Sequence, residues 1–359
     1  MYKGSEYMKI LIDGRLISDN ETGISRYSEK LLEIYKEIFG TENIILIVNK
    51  NLKKTFTDIK VIKTELYPFN LMHFMQFHKL LKTIEFDVYH SMFYANSFFK
   101  VKNKIYISTV HDLMYSVVPN FFRNNMLLNQ LAIWYFDFIV KRSLKNSDFI
   151  VAISETTQKD IKNVFGLKSV VITEGINELH SDNEKLEIDT SQLKTKEFFL
   201  YVGNNRPHKN VEFLKSCYIK SSSSKKLVIV GHKGENISFD DKEIIYTGYI
   251  NDFTLKYLYS NASAFVFPSL YEGFGLPILE AIYLDTLVLS SNCGSLAEFG
   301  EYNIQYFDPE KEESLIELLE NIDNTKFDYH KQKILHDRFN WNVVKNQLLK
   351  FYKEKVLND

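Results

Sequence analysis

The stretch from residue 264 to residue 281 constrains the chain most. Ala264, Phe265, Val266 and Phe267 make an apolar run of the length of a strand buried on both faces. Pro268 ends it, a turn containing Gly273 and Gly275 follows, and Pro277 stands where the first turn of a helix tolerates proline. Strand, glycine turn and helix N-terminus make a corner where unpaired amide N–H groups and the positive end of a helix dipole converge. Such a corner suits a negatively charged group. Glu272 and Glu280 flank it with seven residues between them.

The rest of the chain supplies the sheets to which such a corner belongs. Residues 8–13 read as a first buried strand, followed by a loop through Gly14, Arg15 and Gly23. A helix comes next, with Leu31, Leu32, Ile34, Tyr35 and Ile38 on one side. Further strands are expected at 44–48, 61–62, 86–91, 148–153 and 170–172, with helices over 71–82 and 127–143. The strand at 104–113 ends on His111 and Asp112, where ligands of open α/β sheets bind. Ser154 reads as a helix cap.

The pattern restarts at 198–202 and runs through Gly203 into a loop with Arg206, His208 and Lys209. Strands at 227–230 (then Gly231), 244–250 (with Gly248 and Tyr249) and 287–291 surround the corner, and a last helix opens near Trp341. Alternation of this kind predicts an α/β chain with doubly wound parallel sheets. At 359 residues the chain exceeds one ordinary core, so two domains are expected.

Composition excludes several classes. Apolar residues at 45% and charged residues at 25% describe a soluble globular protein, and a net charge of −2 argues against a dedicated nucleic-acid binder. Cys217 and Cys293 are too few for a disulfide framework or a cysteine metal cluster, which fits a cytoplasmic location. No apolar run approaches the roughly 18 residues of a spanning helix, and no signal peptide is read at the N-terminus. Residues 1–7 read as an appendage. His73 and His78, five apart on one helix, fit packing or surface roles better than a pair of metal ligands.

The segment around Glu272, Gly273, Phe274, Gly275, Leu276 and Glu280 resembles the E-x7-E signature of the GT4-type, group 1 retaining glycosyltransferases. The resemblance extends over residues 8–355 through His111-Asp112, Lys209 and the 293–298 turn. It implies a GT-B fold: two Rossmann-like doubly wound parallel-sheet domains facing across a cleft, with the C-terminal helix crossing back to the first domain. The expected division is an acceptor domain over 1–176, a linker over 177–196, a donor domain over 197–335 and a returning helix over 336–359.

By the same resemblance, Glu272 contacts the donor sugar and Glu280 accepts hydrogen bonds from ribose hydroxyls. Amides of Gly273, Phe274, Gly275 and Leu276 help hold the donor. Lys209 neutralises the diphosphate, with Arg206 as a second cation where the family's usual arginine is replaced by His208. Gly203, Gly248 and Tyr249 line the nucleotide, and Gly23 lets backbone approach the donor diphosphate or the acceptor. His111 positions the donor, and Asp112 fixes loop or acceptor geometry. Glu174 stands where the family carries asparagine.

The implied activity is retaining transfer of a mannose-like or glucose/galactose-like hexose from a nucleoside diphosphate sugar such as GDP-mannose to a saccharide acceptor in surface-polysaccharide biosynthesis. No D-x-D occurs in the sequence, so neither a metal nor a cofactor is expected. Phe and Tyr concentrate in 67–99 and 115–138 among Lys, His and Arg. Those segments are read either as core or as a face resting on the inner side of the membrane, where the acceptor rides on a lipid carrier. The competing readings are an inactive nucleotide-binding scaffold subunit of the same shape and a nucleotide-sugar epimerase.

Overall fold

The computed structural model describes residues 8–19, 22–68, 71–118, 121–122, 126–176, 185–191, 193–231, 237–239, 242–300 and 302–357. Residues 1–7 and the 177–184 part of the expected linker lie outside that set. The chain divides into two compact units, one formed by Met1–Glu174 with Trp341–Asp359 and the other by Gly175–Asn340. The described part of the 185–196 stretch belongs to the second unit. There Lys196 donates its N–H to the Asn261 carbonyl, and Glu187 donates its N–H to Thr254 Oγ1.

Unit 1 opens with β1 (Ile10–Asp13), α1 (Gly23–Phe39), β2 (Ile44–Asn49), β3 (Lys60–Thr64), α2 (Leu71–Leu81) and β4 (Val88–Ser91). It continues with β5 (Ile105–Val110), the short α3 (Met114–Val117), α4 (Met126–Lys145), β6 (Phe149–Ala152), α5 (Glu155–Phe165) and β7 (Val170–Val171). The strands pair in the order β3-β2-β1-β4-β5-β6-β7, every neighbouring pair parallel. β1 and β4 are buried along their whole length because helices cover both faces, and this is why they read as unbroken apolar runs. Thr22 Oγ1 accepts the Ser25 N–H at the start of α1, and Ser154 caps α5 as its sequence context predicts.

Unit 2 holds β8 (Phe198–Val202), α6 (Val211–Lys220), β9 (Lys226–Val230), β10 (Ile237–Phe239), β11 (Lys242–Gly248), α7 (Asp252–Asn261) and β12 (Ala264–Phe267). It is completed by α8 (Leu276–Tyr283), β13 (Leu287–Ser291), β14 (Ile304–Phe307), α9 (Glu312–Glu320) and α10 (Tyr329–Arg338). Its strand order is β10-β11-β9-β8-β12-β13-β14. Without β10 this repeats the order of the first six strands of unit 1, which adds β7 at its edge, and both are the doubly wound arrangement with a switch point beside the first strand. One correction concerns β10. It pairs antiparallel with β11, so the second sheet is parallel except at that edge, where an antiparallel strand is a common addition.

The helix α11 (Trp341–Phe351) and the π-helical turn after it return to unit 1. Trp341 packs on Tyr27, Lys345 Nζ lies 2.7 Å from Glu37 Oε2, and Gln347 Oε1 accepts the Thr173 N–H. The Tyr352 hydroxyl is 3.0 Å from that of Tyr35, which in turn lies 2.6 Å from His90 Nδ1. His90 Nε2 reaches Thr109 Oγ1. This wholly buried chain of polar groups fastens the returning helix to α1 and to strands β4 and β5. Among the described residues no helix is long and apolar enough to cross a membrane.

Candidate functional site

At the carboxyl end of β12 the chain turns through residues 268–275 and enters α8. Gly275 adopts φ +109°, and a Cβ there would lie 2.6 Å from Leu296 Cδ2, so the turn requires glycine for both conformation and space. Phe274 is buried edge-to-face against Phe299 and Phe339 at centroid distances of 5.5 and 5.6 Å. The turn is tied on either side: Leu270 donates its N–H to the His208 carbonyl, and Ser295 Oγ donates to the Glu272 carbonyl. The result is a rigid loop that leads into the first N–H groups of α8, which have no carbonyl one turn earlier in the helix.

Glu272 projects from this loop to Lys209, which follows β8. Its Oε1 lies 2.6 Å from Lys209 Nζ, with 15% of the lysine and 12% of the glutamate side chain exposed. The ammonium also lies 5.2 Å from the Phe267 ring centroid. His208, beside it, is buried and has its pKa pushed down to about 4, first by burial and then by the Lys209 charge. At neutral pH it adds no second cation, so replacing the family's arginine with His208 removes a charge from this position. Arg206 is exposed; its N–H donates to Asn204 Oδ1, and among the described residues its guanidinium has no hydrogen-bond or ion-pair partner. The structure therefore joins Lys209 to Glu272 and leaves Arg206 outside that pair.

Glu280 lies within α8, buried, and Tyr259 donates its hydroxyl to Glu280 Oε2 at 3.4 Å. Across the sheet, Gly203 follows β8, Gly231 follows β9 and Gly248 ends β11. Gly203 donates its N–H to the Val230 carbonyl, and Gly231 donates to Gly248. A Cβ on Gly231 would sit 2.9 Å from the Gly203 carbonyl oxygen. Glycine is required at 231 by this contact between neighbouring strands and by its φ of +84°. The outcome is a bare backbone edge at three adjacent strand ends, with Tyr249 beside it 80% exposed.

Unit 1 gathers a second set of residues. His111 follows β5; because a carbonyl can only accept, its Nε2 carries the proton donated to Met92 O at 2.9 Å. Its Nδ1 lies 3.5 Å from Glu174 Oε1, and the Tyr27 ring packs edge-on at 4.7 Å. Asp112 Oδ1 accepts the Met114 N–H and so shapes the start of α3. Gly23 opens α1, and a Cβ there would meet nothing within 4 Å. Sequence reasoning passed over three of these neighbours, Tyr27, Met92 and Glu174 as a partner of His111.

Sequence reasoning also missed a cluster at the end of β1. Asp13 accepts from Arg15 Nε (2.7 Å), from Arg15 Nη2 (2.6 Å) and from the Tyr89 hydroxyl (2.6 Å), and neither side chain of the ion pair is exposed. Arg15 Nη1 also donates to the Leu66 carbonyl and to His73 Nδ1, and its guanidinium lies 3.7 Å from the Phe77 ring centroid. Burial and the Arg15 charge hold the His73 pKa down at about 3. Two opposite charges two residues apart at the end of an apolar strand were the available signal. Among the described residues no three His, Cys, Asp or Glu side chains converge to hold a metal ion.

Two Rossmann-like units, each with a switch point lined by loops after parallel strands, define the two-domain α/β class whose ligands bind beyond strand carboxyl ends. Residues 182–333 match the family described as glycosyl transferases group 1, and residues 51–178 match glycosyltransferase family 4. The chain belongs to this family 4, group 1 glycosyltransferase family, and its fold is GT-B.

It is 28% identical over 225 residues to the O-antigen chain mannosyltransferase RfbU of Salmonella typhimurium, covering 60% of each chain. It is 26% identical over 331 residues to O-antigen chain mannosyltransferase B of Escherichia coli, covering 81% of this chain and 84% of that one. Sucrose-phosphate synthase from Thermosynechococcus elongatus superposes with a TM-score of 0.73 at 17% identity, over 98% of this chain and 100% of that one. The lipopolysaccharide outer core galactosyltransferase WaaB superposes with a TM-score of 0.70 at 16% identity, over 97% and 100%. At such identities these likenesses speak to fold alone.

Proposed function

We propose that the chain is a retaining, metal-independent hexosyltransferase. It takes a hexose, with mannose from GDP-mannose first in order, from a nucleoside diphosphate sugar to a lipid-carried saccharide in surface-polysaccharide assembly at the cytoplasmic face of the membrane. The Lys209–Glu272 pair carries the reading, since it stands at the end of β12 beside the opening amides of α8. Mannose and O-antigen come from the names of the two relatives above.

The pair is a site whose charges neutralise each other until a ligand takes them apart. A diphosphate draws Lys209 Nζ to its oxygens and frees Glu272 to accept hydrogen bonds from sugar hydroxyls. As the glycosidic bond breaks, negative charge grows on the leaving diphosphate, where Lys209, Arg206 and the amides of Phe274, Gly275 and Leu276 stabilise it. Glu280 accepts from the ribose hydroxyls, and His111 positions the donor. Retention then follows a same-face route assisted by the leaving phosphate, with no protein nucleophile assigned. The absence of D-x-D from the sequence supports the metal-independent part.

The test is thermal-shift binding of GDP-, UDP- and ADP-sugars, with and without EDTA, repeated on Glu280→Ala. GDP-mannose is expected to stabilise the protein irrespective of EDTA, and the variant to bind about 10- to 100-fold more weakly, the equivalent of about 1–3 kcal/mol of lost hydrogen bonding. Stabilisation by a UDP-hexose instead would move the donor. If no sugar nucleotide binds, or the variant binds equally well, the site is misassigned and the scaffold reading comes first.

A further inference from the structure

Helix α4 is apolar on two sides. Its inner side buries Ile139, and its Val140 and Leu144 pack into the cluster of Val110, Leu113, Tyr115, Ile150 and Ile161. Its outer side carries Leu127, Leu131, Trp134 and Phe138 at helical spacing, exposed by 73, 64, 70 and 57%. A surface helix normally turns charged or polar residues outward, so a second apolar stripe on a helix already packed on its first is unpartnered surface. Nearby, Phe98 packs edge-on against Phe138, and Phe99 is half exposed.

The exposed charges of α4 itself are one-sided. Lys141, Arg142 and Lys145 are exposed in the last two turns of α4. The one carboxylate of the helix, Asp137, is half-buried and accepts the Tyr115 hydroxyl. In a chain of net charge −2, this basic end is a local feature. A second copy pairing through the same helix would bring no acidic group to these cations, because the outer face of α4 has none. Anionic lipid headgroups would, and a Trp, Phe and Leu stripe continued by Lys and Arg is the pattern of a helix lying in a bilayer interface.

We propose that the outer face of α4 docks on an anionic lipid bilayer, with Leu127, Leu131, Trp134 and Phe138 entering the headgroup boundary and Lys141, Arg142 and Lys145 binding lipid phosphates. It deepens the reading of a lipid-carried acceptor given above, but its test does not depend on transfer activity. Flotation of the full chain with phosphatidylcholine vesicles, with and without phosphatidylglycerol, should show binding only when the anionic lipid is present. Two variants, Leu131→Ser with Trp134→Ser and Lys141→Glu with Arg142→Glu, should each weaken that binding by about tenfold or more.

Both variants should keep the far-ultraviolet dichroism and the sugar-nucleotide affinity of the parent. Trp134 emission, isolated in a Trp341→Phe background, should shift to the blue on adding anionic vesicles. Absence of vesicle binding, or binding that both variants retain, overturns the proposal. So does a concentration-dependent dimer abolished by the serine variant, which would make a second copy the occupant. If vesicles bind as expected while a water-soluble acceptor is used as well as a lipid-linked one, the docking face stands and the lipid-carried acceptor fails.

Discussion

In unit 1 the strands flanking the reversal of order, β1 and β4, end on Asp13 and Ser91; in unit 2 the corresponding strands, β8 and β12, end on Val202 and Phe267. Both reversals carry an oppositely charged pair, but in different settings. Asp13 and Arg15 are fully buried, bound to each other and held by Tyr89, His73 and the Leu66 carbonyl. Lys209 and Glu272 remain in reach of solvent, with an exposed Arg206 nearby. The same topology thus uses charge in two ways. One pair shapes the loop after the first strand, and the other waits for a ligand able to separate it.

Breaking each pair should separate the two roles. Asp13→Asn leaves the Arg15 guanidinium buried without its counter-charge and is expected to cost about 3–5 kcal/mol in urea unfolding. Lys209→Met should change stability by no more than about 1 kcal/mol, yet slow transfer about 100- to 1000-fold. If Asp13→Asn were instead stable but inactive, the first switch point would have to be a ligand site as well, and the contrast would collapse.

Acid should reveal the same asymmetry at smaller scale. In unit 1, burial holds His73 and His90 neutral with pKa values near 3, well below the ordinary histidine value of about 6.5. Unfolding lets both bind protons, so their contribution is intact above pH ~6.5 and is lost as pH falls from there towards 3. At pH 5 each should have cost unit 1 about 2 kcal/mol. Among the described histidines of unit 2, His208 is the one whose pKa is pushed down, to about 4, and it lies nearer the surface, so hydrogen exchange at pH 5 should rise first in unit 1.

The smallest effect concerns Gly23. Alanine fits its conformation and meets no atom, so Gly23→Ala should raise stability by a few tenths to about 1 kcal/mol while reducing transfer. Unchanged transfer would show that no ligand approaches α1 there.

Much of this was legible because the signals are local. The apolar run of β12, the glycine turn and Pro277 depend on residues within a few positions of one another, and so do the Ser154 cap and the β1–α1 loop. Two kinds of feature were not legible. The 302–337 stretch yields β14, α9 and α10, but its sequence alternates too weakly to announce an edge strand and two half-exposed helices. The partners of the site residues are also distant in sequence. Asp13 meets Tyr89 across 76 positions, and Tyr35 meets Tyr352 across 317. Such pairings follow from strand order and helix return, which no window of sequence contains. His208 illustrates a third limit: its burial, which keeps it uncharged at neutral pH, follows from the packing of the 206–209 turn and not from its residue type.

The return of α11 to unit 1 sets an order of events during synthesis. Unit 2 is contiguous over residues 175–340 and can close as soon as it has emerged, whereas unit 1 awaits a helix made after it. Until Tyr352 arrives, Tyr35 lacks one partner of its buried hydroxyl chain and Tyr27 lacks the Trp341 ring. At about 5–20 residues per second, the interval between residue 174 and residue 352 is on the order of 10–40 s. Through that time the first half of the protein to be made remains the last to be finished, with the seat of α11 on α1 open to chaperones or to a neighbouring nascent chain.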